Sequence, residues 1–421
     1  MIAGRETTVA RTPAYHNRIR LVLTLGALTA LGPFTVDMYL PALPVIAADL
    51  ATSDATIQLT LTATLIGLAL GQLVIGPLSD VYGRRRPLIA GSAVHVAASV
   101  ACYFAPSVAV LAGLRTLQGV GAAATAVIAM AVVRDLFTGR EAAVVLSRLM
   151  LVMGVAPVLA PSIGGLLISV VSWHGVFLAL AGLGVVMVLL GCRSLPETLP
   201  PAARARRGTA SLFRAYGVLG RDRVFVLLVL VCGLVRAVLW AYIAGSAFVL
   251  QHQFELSPQL YGFAFAVGAV ALIGASQLNV LLLGRWSPDL ICLVSLLMSV
   301  LTGAVFVVVS ATDTGGLAGF AIPLMVLLGA TGLTMPNSVA AALSRHGSVA
   351  GSAAAVVGFT QFGAAAVAAP VVGLLGNSAR AIAIVMTAAA TLALAGFLAA
   401  RAGRAREHPI GERRPAGRGQ E

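Results

Sequence analysis

The chain has 421 residues, of which 59% are hydrophobic and only 10% are charged, whereas soluble domains carry about 25% charged residues. Together with a mean hydropathy of +0.97, this composition excludes a water-soluble protein and predicts one embedded in a lipid bilayer. The net charge is +13, and because the arginines fall between apolar segments, the positive-inside rule explains them better than nucleic-acid binding does. The four cysteines show no CxxC spacing, which predicts neither a metal site nor a disulfide.

Apolar segments long enough to cross a bilayer, about 20 residues each, recur about twelve times along the chain. The sequence therefore predicts an all-α membrane protein with twelve transmembrane helices. The predicted spans are 20–44, 56–78, 87–105, 107–133, 142–169, 174–193, 224–250, 259–284, 289–311, 316–343, 350–375 and 380–401.

The longest hydrophilic connection, from Leu195 to Asp222, divides the predicted spans six and six. The two halves also echo each other, which is typical of six-helix repeats related by an axis along the membrane normal. A shift of 209 residues carries Gly154, Pro161 and Gly164 onto Gly363, Pro370 and Gly373. The predicted units are an N-terminal bundle (1–194), a cytoplasmic linker (195–222), a C-terminal bundle (223–402) and a disordered tail (403–421).

The loops alternate in charge, which predicts the orientation of the chain. Arginines gather in the N-terminal tail, in the loops after spans two and four, in the linker and in the C-terminal tail. The opposite loops carry Asp49, Asp54, Glu255 and Asp313 with one arginine, Arg380. Both termini and the linker are therefore predicted to be cytoplasmic.

The first predicted span contains an ionisable residue, Asp37, with apolar neighbours on both sides. A charged side chain at membrane depth costs about 2.5–3.5 kcal/mol on insertion scales, so such a residue is a candidate for function. Pro41 and Pro44 remove backbone donors just beyond it, and transporters build sites where a carboxylate lies beside an interrupted helix. The alternative is that Asp37 lies at a helix end and meets interfacial water.

Between spans two and three, the string GPLSDVYGRRRP starts at Gly76. Gly76 allows two helices to approach closely, and Gly83 permits a tight turn. Asp80 is placed to cap a helix or to pair with an arginine such as Arg84 or Arg85 at the cytoplasmic face. The alternative is a charged topology anchor. The whole string resembles the loop between the second and third helices of the major facilitator superfamily, which implies a gating loop.

Further strings narrow the resemblance. RTLQGVG, starting at Arg115 in span four, looks like the antiporter pattern of the superfamily, and GVAPVLAPSIGG, starting at Gly154 in span five, resembles the antiporter motif of its drug exporters. The strings DMYLPALP at Asp37, VRDLF at Val133 and LPETLP at Leu195 resemble the Bcr/CflA branch, which exports bicyclomycin and chloramphenicol. The resemblance implies a twelve-helix drug/proton antiporter of a bacterial inner membrane, built as two pseudo-symmetric six-helix bundles.

Arg115 lies inside an apolar stretch and needs an anionic or backbone partner. Pairing with Asp37 is the cheapest arrangement and would favour the ionised carboxylate, so both residues are predicted to couple transport to protons. The alternative for Arg115 is snorkelling to an interface. In span five, small and helix-bending residues predict a tight seam that resists leakage while the halves rock. These residues are Gly154, Pro157, Pro161, Gly164 and Gly165.

Arg236 in span seven departs from the resemblance, which leads us to expect small apolar residues there. It would either compete for Asp37 and favour substrates with negative or strongly polar groups, or face a water-filled cavity without a partner. An apolar, aromatic cavity with few polar groups suits drug-like ligands. The predicted cavity residues are Phe34, Tyr39, Gln118, Arg236, Trp240, Tyr242, Asn337 and Gln361.

The predicted function is secondary active efflux of amphiphilic drug-like compounds in exchange for protons by alternating access. The expected partners are a small-molecule substrate, protons and the bilayer, with no nucleic acid. The chain is expected to act as a monomer that uses the proton gradient without a cofactor or metal. Alternatives are a transporter of an endogenous metabolite and, disfavoured by the paired halves, a membrane sensor or channel. An enzyme is disfavoured because HExxH, CxxC, GxSxG and phosphate-binding motifs are absent.

Overall fold

The computed structural model describes residues 15–137, 139–199, 216–346 and 350–407, and all regular elements in these ranges are helices. Two short elements interrupt or extend longer ones, a 3-10 turn at Leu40–Ala42 and a π-helical turn at Val249–Gln253. The α-helices are α1 (Tyr15–Asp37), α2 (Leu43–Asp49), α3 (Asp54–Tyr82), α4 (Arg85–Tyr103), α5 (Val108–Leu136), α6 (Gly139–Val170), α7 (His174–Arg193), α8 (Arg223–Phe248), α9 (Pro258–Leu282), α10 (Pro288–Ala311), α11 (Gly316–Leu343), α12 (Ala350–Leu374) and α13 (Ala379–Glu407).

Local sequence signals set where several of these helices begin. The hydroxyl of Ser53 accepts a hydrogen bond from Thr56 N at the start of α3, and Ser107 caps α5 in the same way. Ser257 and Ser287 cap α9 and α10, and each is followed by a proline in the first helical position. The serine hydroxyl accepts a hydrogen bond from a backbone N–H that has no partner within the helix, and proline in the first helical position loses no intrahelical hydrogen bond. These residues therefore mark where the helices begin.

Eleven helical segments of the described residues are long and apolar enough to cross a bilayer, with α1, the turn and α2 counted together. The remaining long helix, α4, is more polar because it begins with Arg85 and Arg86 and carries buried Ser92, His95 and Ser99. Its 19 residues still extend about 28 Å at 1.5 Å per residue, and it packs between α5 and α7. The twelve-helix architecture is therefore confirmed, and α4 keeps an exposed apolar face that includes Val94 and Val100 beside its buried polar residues.

The long helices form two sets of six, one before and one after the linker, that meet along two seams. The seams are α3 against α12 and α6 against α9. The last helix continues to Glu407, so the first five residues of the predicted tail are helical. Residues 200–215 of the predicted linker and 408–421 of the predicted tail lie outside the described residues.

Asp222 fixes the start of the second half. Its carboxylate accepts hydrogen bonds from Val224 N at 2.9 Å and Phe225 N at 3.0 Å, which caps α8. The same carboxylate binds Arg345 Nε at 2.9 Å and contacts His346 Nε2 at 3.0 Å at the end of α11. Partial burial opposes the ionised form, but these hydrogen bonds outweigh it and lower the pKa of Asp222. The charged cap thereby ties the start of α8 to the end of α11.

Five polar contacts between the two halves lie at one end of the described bundle. Gln58 Nε2 donates to Ala244 O at 2.9 Å and to Asn377 Oδ1 at 2.6 Å, and Gln251 Nε2 donates to Pro41 O at 3.3 Å. The remaining two are Ser162 Oγ to Gly262 O at 3.4 Å and His252 to Asp54 at 3.5 Å. This end is opposite to the arginine-rich loops, so the structure shows the halves joined on the side away from those loops.

Candidate functional site

The first membrane crossing is interrupted directly after Asp37. Helix α1 ends at this residue, the 3-10 turn carries Pro41, and the chain resumes as α2 up to Asp49. Asp37 is only 4% exposed, and helical chain continues beyond it, so a position in interfacial water is ruled out. Its carboxylate lies at the C-terminal end of α1, where the helix dipole disfavours negative charge. The predicted carboxylate beside an interrupted helix is confirmed.

The carboxylate of Asp37 forms no hydrogen bond, and no ion pair within 4.0 Å, in the described part of the chain. The cation whose charge acts on it is Arg236 of α8, in the opposite half. The predicted pair of Asp37 with Arg115 is wrong, because no ion pair joins them in the described residues: Nη1 of Arg115 donates to Thr35 O and Gln118, and its Nε and Nη2 have no acceptor. The electrostatic link therefore crosses between the two bundles instead of staying within one.

Arg115 is completely buried among neutral groups of the first half. Its Nη1 donates to Thr35 O at 3.0 Å and to the side-chain oxygen of Gln118. The guanidinium carbon lies 4.3 Å from the centre of the Tyr39 ring and 5.9 Å from that of Phe177. A carbonyl at a helix break and two aromatic faces stabilise the cation without a carboxylate. Snorkelling is excluded, and the expectation of a backbone partner is confirmed.

The hydrogen bonds of Arg115 continue into α4. Gln118 Nε2 donates to Ser99 Oγ at 2.7 Å, and Ser99 Oγ donates to His95 O at 2.7 Å. His95 Nε2 lies 2.9 Å from Thr35 Oγ1. Sequence reasoning assigned His95 no role, although the polar residues Ser92, His95 and Ser99, spaced three and four apart in an apolar helix, indicated a buried polar face. The network locks α1, α4 and α5 together.

Several predicted cavity residues use their polar groups within one half. Tyr39 OH hydrogen-bonds with Thr60 Oγ1 at 2.8 Å. Asn337 Nδ2 donates to Asn279 Oδ1 at 2.7 Å and to Leu333 O at 2.8 Å. Together with Gln118, these two residues connect neighbouring helices, and their side chains offer a ligand little hydrogen-bonding capacity.

Two other predicted cavity residues, Arg236 and Trp240, have hydrogen-bond donors without an acceptor in the described residues. Arg236 is half-buried, its Nε has no acceptor in the described residues, and its guanidinium carbon lies 5.8 Å from the centre of the Phe362 ring. Trp240 is 5% exposed and its Nε1 also lacks an acceptor. Tyr242 is buried and stacks on Phe265, with ring centres 5.4 Å apart. The remaining two candidates, Phe34 and Gln361, are half-buried.

The loop between α3 and α4 forms an ion-pair network centred on Arg84, which is 2% exposed. Its Nη1 lies 2.7 Å from Asp80 Oδ1, and its Nε lies 2.8 Å from Asp135 Oδ2 at the end of α5. Burial opposes its charge, but the bonds to Asp135 and Asp80 prevail and raise the pKa of Arg84 above its usual value. Glu197 accepts from the backbone of Arg84 and Arg85 at 2.9 and 3.3 Å. The loop therefore joins α3, α4, α5 and the linker, which is more than a topology anchor does.

Two glycine predictions for this region have opposite outcomes. Gly83 adopts φ +86°, a conformation that favours glycine, and it ends α3 as expected. Gly76 faces Val127 with ordinary van der Waals room for a side chain, so the predicted close approach there is wrong. The close approach of α3 to α5 occurs instead at Gly67, where a methyl group would overlap Thr116 O.

Replacing Asp80 by asparagine is expected to lower transport at least about tenfold while substrate binding to purified protein stays within about twofold. The variant removes the charge that helps hold Arg84, so the closed arrangement of the loop becomes less stable by about 1.5–3 kcal/mol, the range for hydrogen bonds to charged groups. Efflux rate and equilibrium binding are measured on the same preparation. Wild-type efflux by the variant would reduce Asp80 to a topology charge.

The glycines of α6 differ in how closely other helices approach them. A methyl group at Gly164 would overlap Met38 O at the break after α1, and one at Gly165 would overlap Pro258 O of the opposite half. Gly154 has ordinary van der Waals distance to Ile273, 3.5 Å from the position of an added Cβ, so its predicted close packing is wrong. Pro157 and Pro161 lie inside α6, which remains one continuous helix. Along α6, the close contact with the opposite half is thus at Gly165, near the end where the polar contacts lie.

The chain is similar in sequence to membrane transporters of one large family. The sequence profile described as Major Facilitator Superfamily matches residues 25–370. The chain is 35% identical over 390 residues, 91% of this chain and 96% of the relative, to the uncharacterized MFS-type transporter YdgK of Bacillus subtilis. It is 29% identical to the bicyclomycin resistance protein homolog of Haemophilus influenzae, over 82% of this chain and 87% of the relative.

A solved structure shows the same fold at much lower sequence identity. The chain aligns with the inward-facing, occupied structure of a bacterial homolog of the human lysosomal transporter Spinster. The TM-score is 0.73 and the identity 15%, over 93% of this chain and 98% of the other. The arrangement of helices is therefore shared.

Proposed function

Because the chain belongs to the Major Facilitator Superfamily, we propose that this multi-pass transporter exports amphiphilic drug-like molecules in exchange for protons. The observation that carries the proposal is Asp37, a buried carboxylate at a helix break whose electrostatic partner, Arg236, belongs to the opposite half. A group in this position is able to bind a proton or a ligand and to sense the separation of the halves. The proton gradient is the energy source of the proposed monomer, with no cofactor.

The proposed cycle uses the charge of Asp37. Arg236 stabilises the ionised carboxylate when it is near, and this carboxylate accepts hydrogen bonds from a substrate that enters from the cytoplasm. When the halves part at the other end, Arg236 moves away and Asp37 takes a proton from outside, which releases the substrate. Substrate and proton therefore compete for one carboxylate, and this competition is the requirement for antiport.

Two further features support export of drug-like molecules. The bicyclomycin resistance protein homolog is related along most of its length, and the groups around Arg236 combine aromatic surface with few polar atoms. A metabolite with an anionic group is the second candidate, favoured by the single observation that Arg236 Nε has no acceptor.

Transport by everted membrane vesicles tests the proposal. Addition of chloramphenicol or bicyclomycin to energised vesicles that contain the protein is expected to release protons from the lumen, and the drug should accumulate inside. The host that lacks its own exporters should also grow at higher drug concentrations when it expresses the chain. Absence of proton release and of protection across an antibiotic panel would contradict drug/proton exchange.

We also propose cytoplasmic termini in a bacterial inner membrane, from the arginine-rich loops on one side. Reporter fusions at Gly208 in the linker and at Asp313 between α10 and α11 are expected to give signals for opposite sides of the membrane. The measurement uses a reporter pair, one active only in the cytoplasm and one only outside it. Signals from the same side would be incompatible with twelve crossings.

A further inference from the structure

We propose that the transport site selects substrates by the sign of their charge: Arg236, with Trp240 beside it, binds anionic groups and the acceptor oxygens of neutral molecules, and disfavours lipophilic cations. This inference rests on the proposed function, because it concerns the same site, and it defines the class of substrate more narrowly.

The charges inside the described membrane crossings do not balance. With Ile19–Asp49 counted as one segment and α6 represented by Val152–Val170, the eleven apolar segments of the described residues carry, away from their ends, two arginines, Arg115 and Arg236, and one carboxylate, Asp37. One positive charge therefore remains uncompensated when Asp37 is ionised, and two remain when it is protonated. His95, the titratable neighbour of Arg115, adds no negative charge in either of its forms. The interior is positive at every stage of the proposed cycle.

Only one of the two arginines is placed to meet a ligand. Arg115 also has two nitrogens without an acceptor in the described residues, Nε and Nη2, but it is 0% exposed and its Nη1 is held by Thr35 and Gln118 inside the first half, so a ligand does not reach it. Arg236 is half-buried and its Nε has no acceptor in the described residues. Asp37 acts on it electrostatically but forms no ion pair with it within 4.0 Å. The guanidinium therefore retains donors for an incoming oxygen, in the planar geometry that suits carboxylates.

Trp240 supplies a second donor beside the first. Its indole Nε1 has no acceptor although the residue is only 5% exposed. Trp240 follows Arg236 by four positions in α8, so both side chains lie on the same face of that helix, one turn apart. A buried donor without an acceptor is energetically costly, and a ligand oxygen would relieve that cost. Two unsatisfied donors, of which Arg236 lies beside the Phe362 ring, thus form a subsite for an acceptor attached to an apolar body.

The uncompensated charge also determines what the subsite disfavours. Charges act over several ångströms in an interior from which water is largely excluded, so a lipophilic cation would be repelled by Arg236 before it reached Asp37. Neutral molecules with carbonyl, nitro or hydroxyl oxygens avoid this repulsion and still satisfy the donors. The site therefore binds anionic amphiphiles more tightly than cationic ones. Protonation of Asp37 strengthens the binding of an anion, so the substrates that fit the proposed exchange are neutral amphiphiles, which donate to Asp37 and accept from Arg236.

Two ions of the same shape and opposite charge test the proposal. The dissociation constants of the anion tetraphenylborate and the cation tetraphenylphosphonium are measured with purified full-length protein in a neutral detergent. Protein-free micelles serve as the blank. The wild type is expected to bind the anion at least about tenfold more tightly, as one uncompensated charge at low dielectric implies. Arg236→Gln should bring the ratio of the two affinities close to one, and Arg236→Lys should keep a preference for the anion.

Arg380→Gln is the matched control, because it removes an arginine that is exposed at the start of α13. It should keep the wild-type ratio, whereas a loss of preference there would indicate a general surface effect. Equal or tighter binding of the cation by the wild type overturns the proposal even when Arg236→Gln does not yield folded protein. An unchanged ratio in folded Arg236→Gln, judged by its unfolding temperature, overturns it as well.

The binding measurement is independent of pumping. A tenfold preference for the anion in a protein that shows no drug/proton exchange in vesicles contradicts the proposed function and leaves charge selection standing. A ratio near one in a protein that exports drug normally contradicts charge selection alone.

Discussion

Asp37→Asn is expected to abolish uphill export while leaving substrate binding within about threefold of the wild type. Asparagine has the size of aspartate but cannot take up or release a proton, so the variant stays in the neutral form throughout the cycle. In everted vesicles, drug-induced proton release should fall below detection, and drug should equilibrate across the membrane without accumulating. Binding should persist because the apolar and aromatic surroundings are unchanged.

The control for this variant is Asp313→Asn, the same chemical change in an exposed loop between α10 and α11. Asp313 has φ +48°, a conformation that asparagine tolerates well, so no structural effect is expected. This control should pump at the wild-type rate. Wild-type accumulation by Asp37→Asn would move the coupling to another group, with the buried His95 beside Arg115 as the next candidate.

Gly165→Val is expected to reduce export at least about tenfold by preventing closure at the end opposite the arginine-rich loops. Any side chain at Gly165 overlaps Pro258 O, which belongs to the backbone of the opposite half and cannot rotate away. Overpacking of this kind costs typically about 1–3 kcal/mol, which shifts a two-state equilibrium by about five- to 150-fold. The conformation in which the two halves meet at Gly165 would become less populated, and the halves would remain apart at this seam.

Efflux rate, substrate binding and unfolding temperature are measured for Gly165→Val and for two further variants. Gly262→Val is the counterpart on α9, where an added Cβ would lie 2.9 Å from Ser162 Cα, and it should show the same loss. Gly182→Val is the control, because nothing lies within 4 Å of an added Cβ on this exposed face of α7. Unimpaired export by Gly165→Val, with the control also normal, would show that the seam opens and closes without this contact.

The sequence by itself determined the membrane class, the approximate spans and the interruption after Asp37. These properties depend on local physics. A bilayer sets the length of an apolar segment, a serine or proline marks a helix start, and the closely spaced Pro41 and Pro44 remove the backbone donors that a continuous helix would need after Asp37. The ion pair of the loop after α3 was also recognisable, because Asp80 and Arg84 are one helical turn apart and pair within a single string of residues.

The tertiary structure decided which partners the buried charges have. Sequence reasoning paired Asp37 with Arg115 as the cheapest arrangement for two isolated charges. In the fold, Arg115 finds a backbone oxygen at Thr35 and an aromatic face at Tyr39, while Asp37 interacts with Arg236 of the opposite half. Helix rotation and the juxtaposition of the two bundles set these distances, and neither follows from the order of residues along one helix.

The same reason explains the glycines. Gly76 and Gly154 belong to strings typical of close packing, yet both have ordinary van der Waals room, whereas Gly67 and Gly165 meet backbone atoms of other helices. A glycine permits close approach, but the helix that uses this freedom is fixed by the crossing of two helices. Composition and periodicity therefore determined which segments of this transporter are helices. The contacts between its helices decided which partners the buried charges have and which glycines lie at close helix contacts.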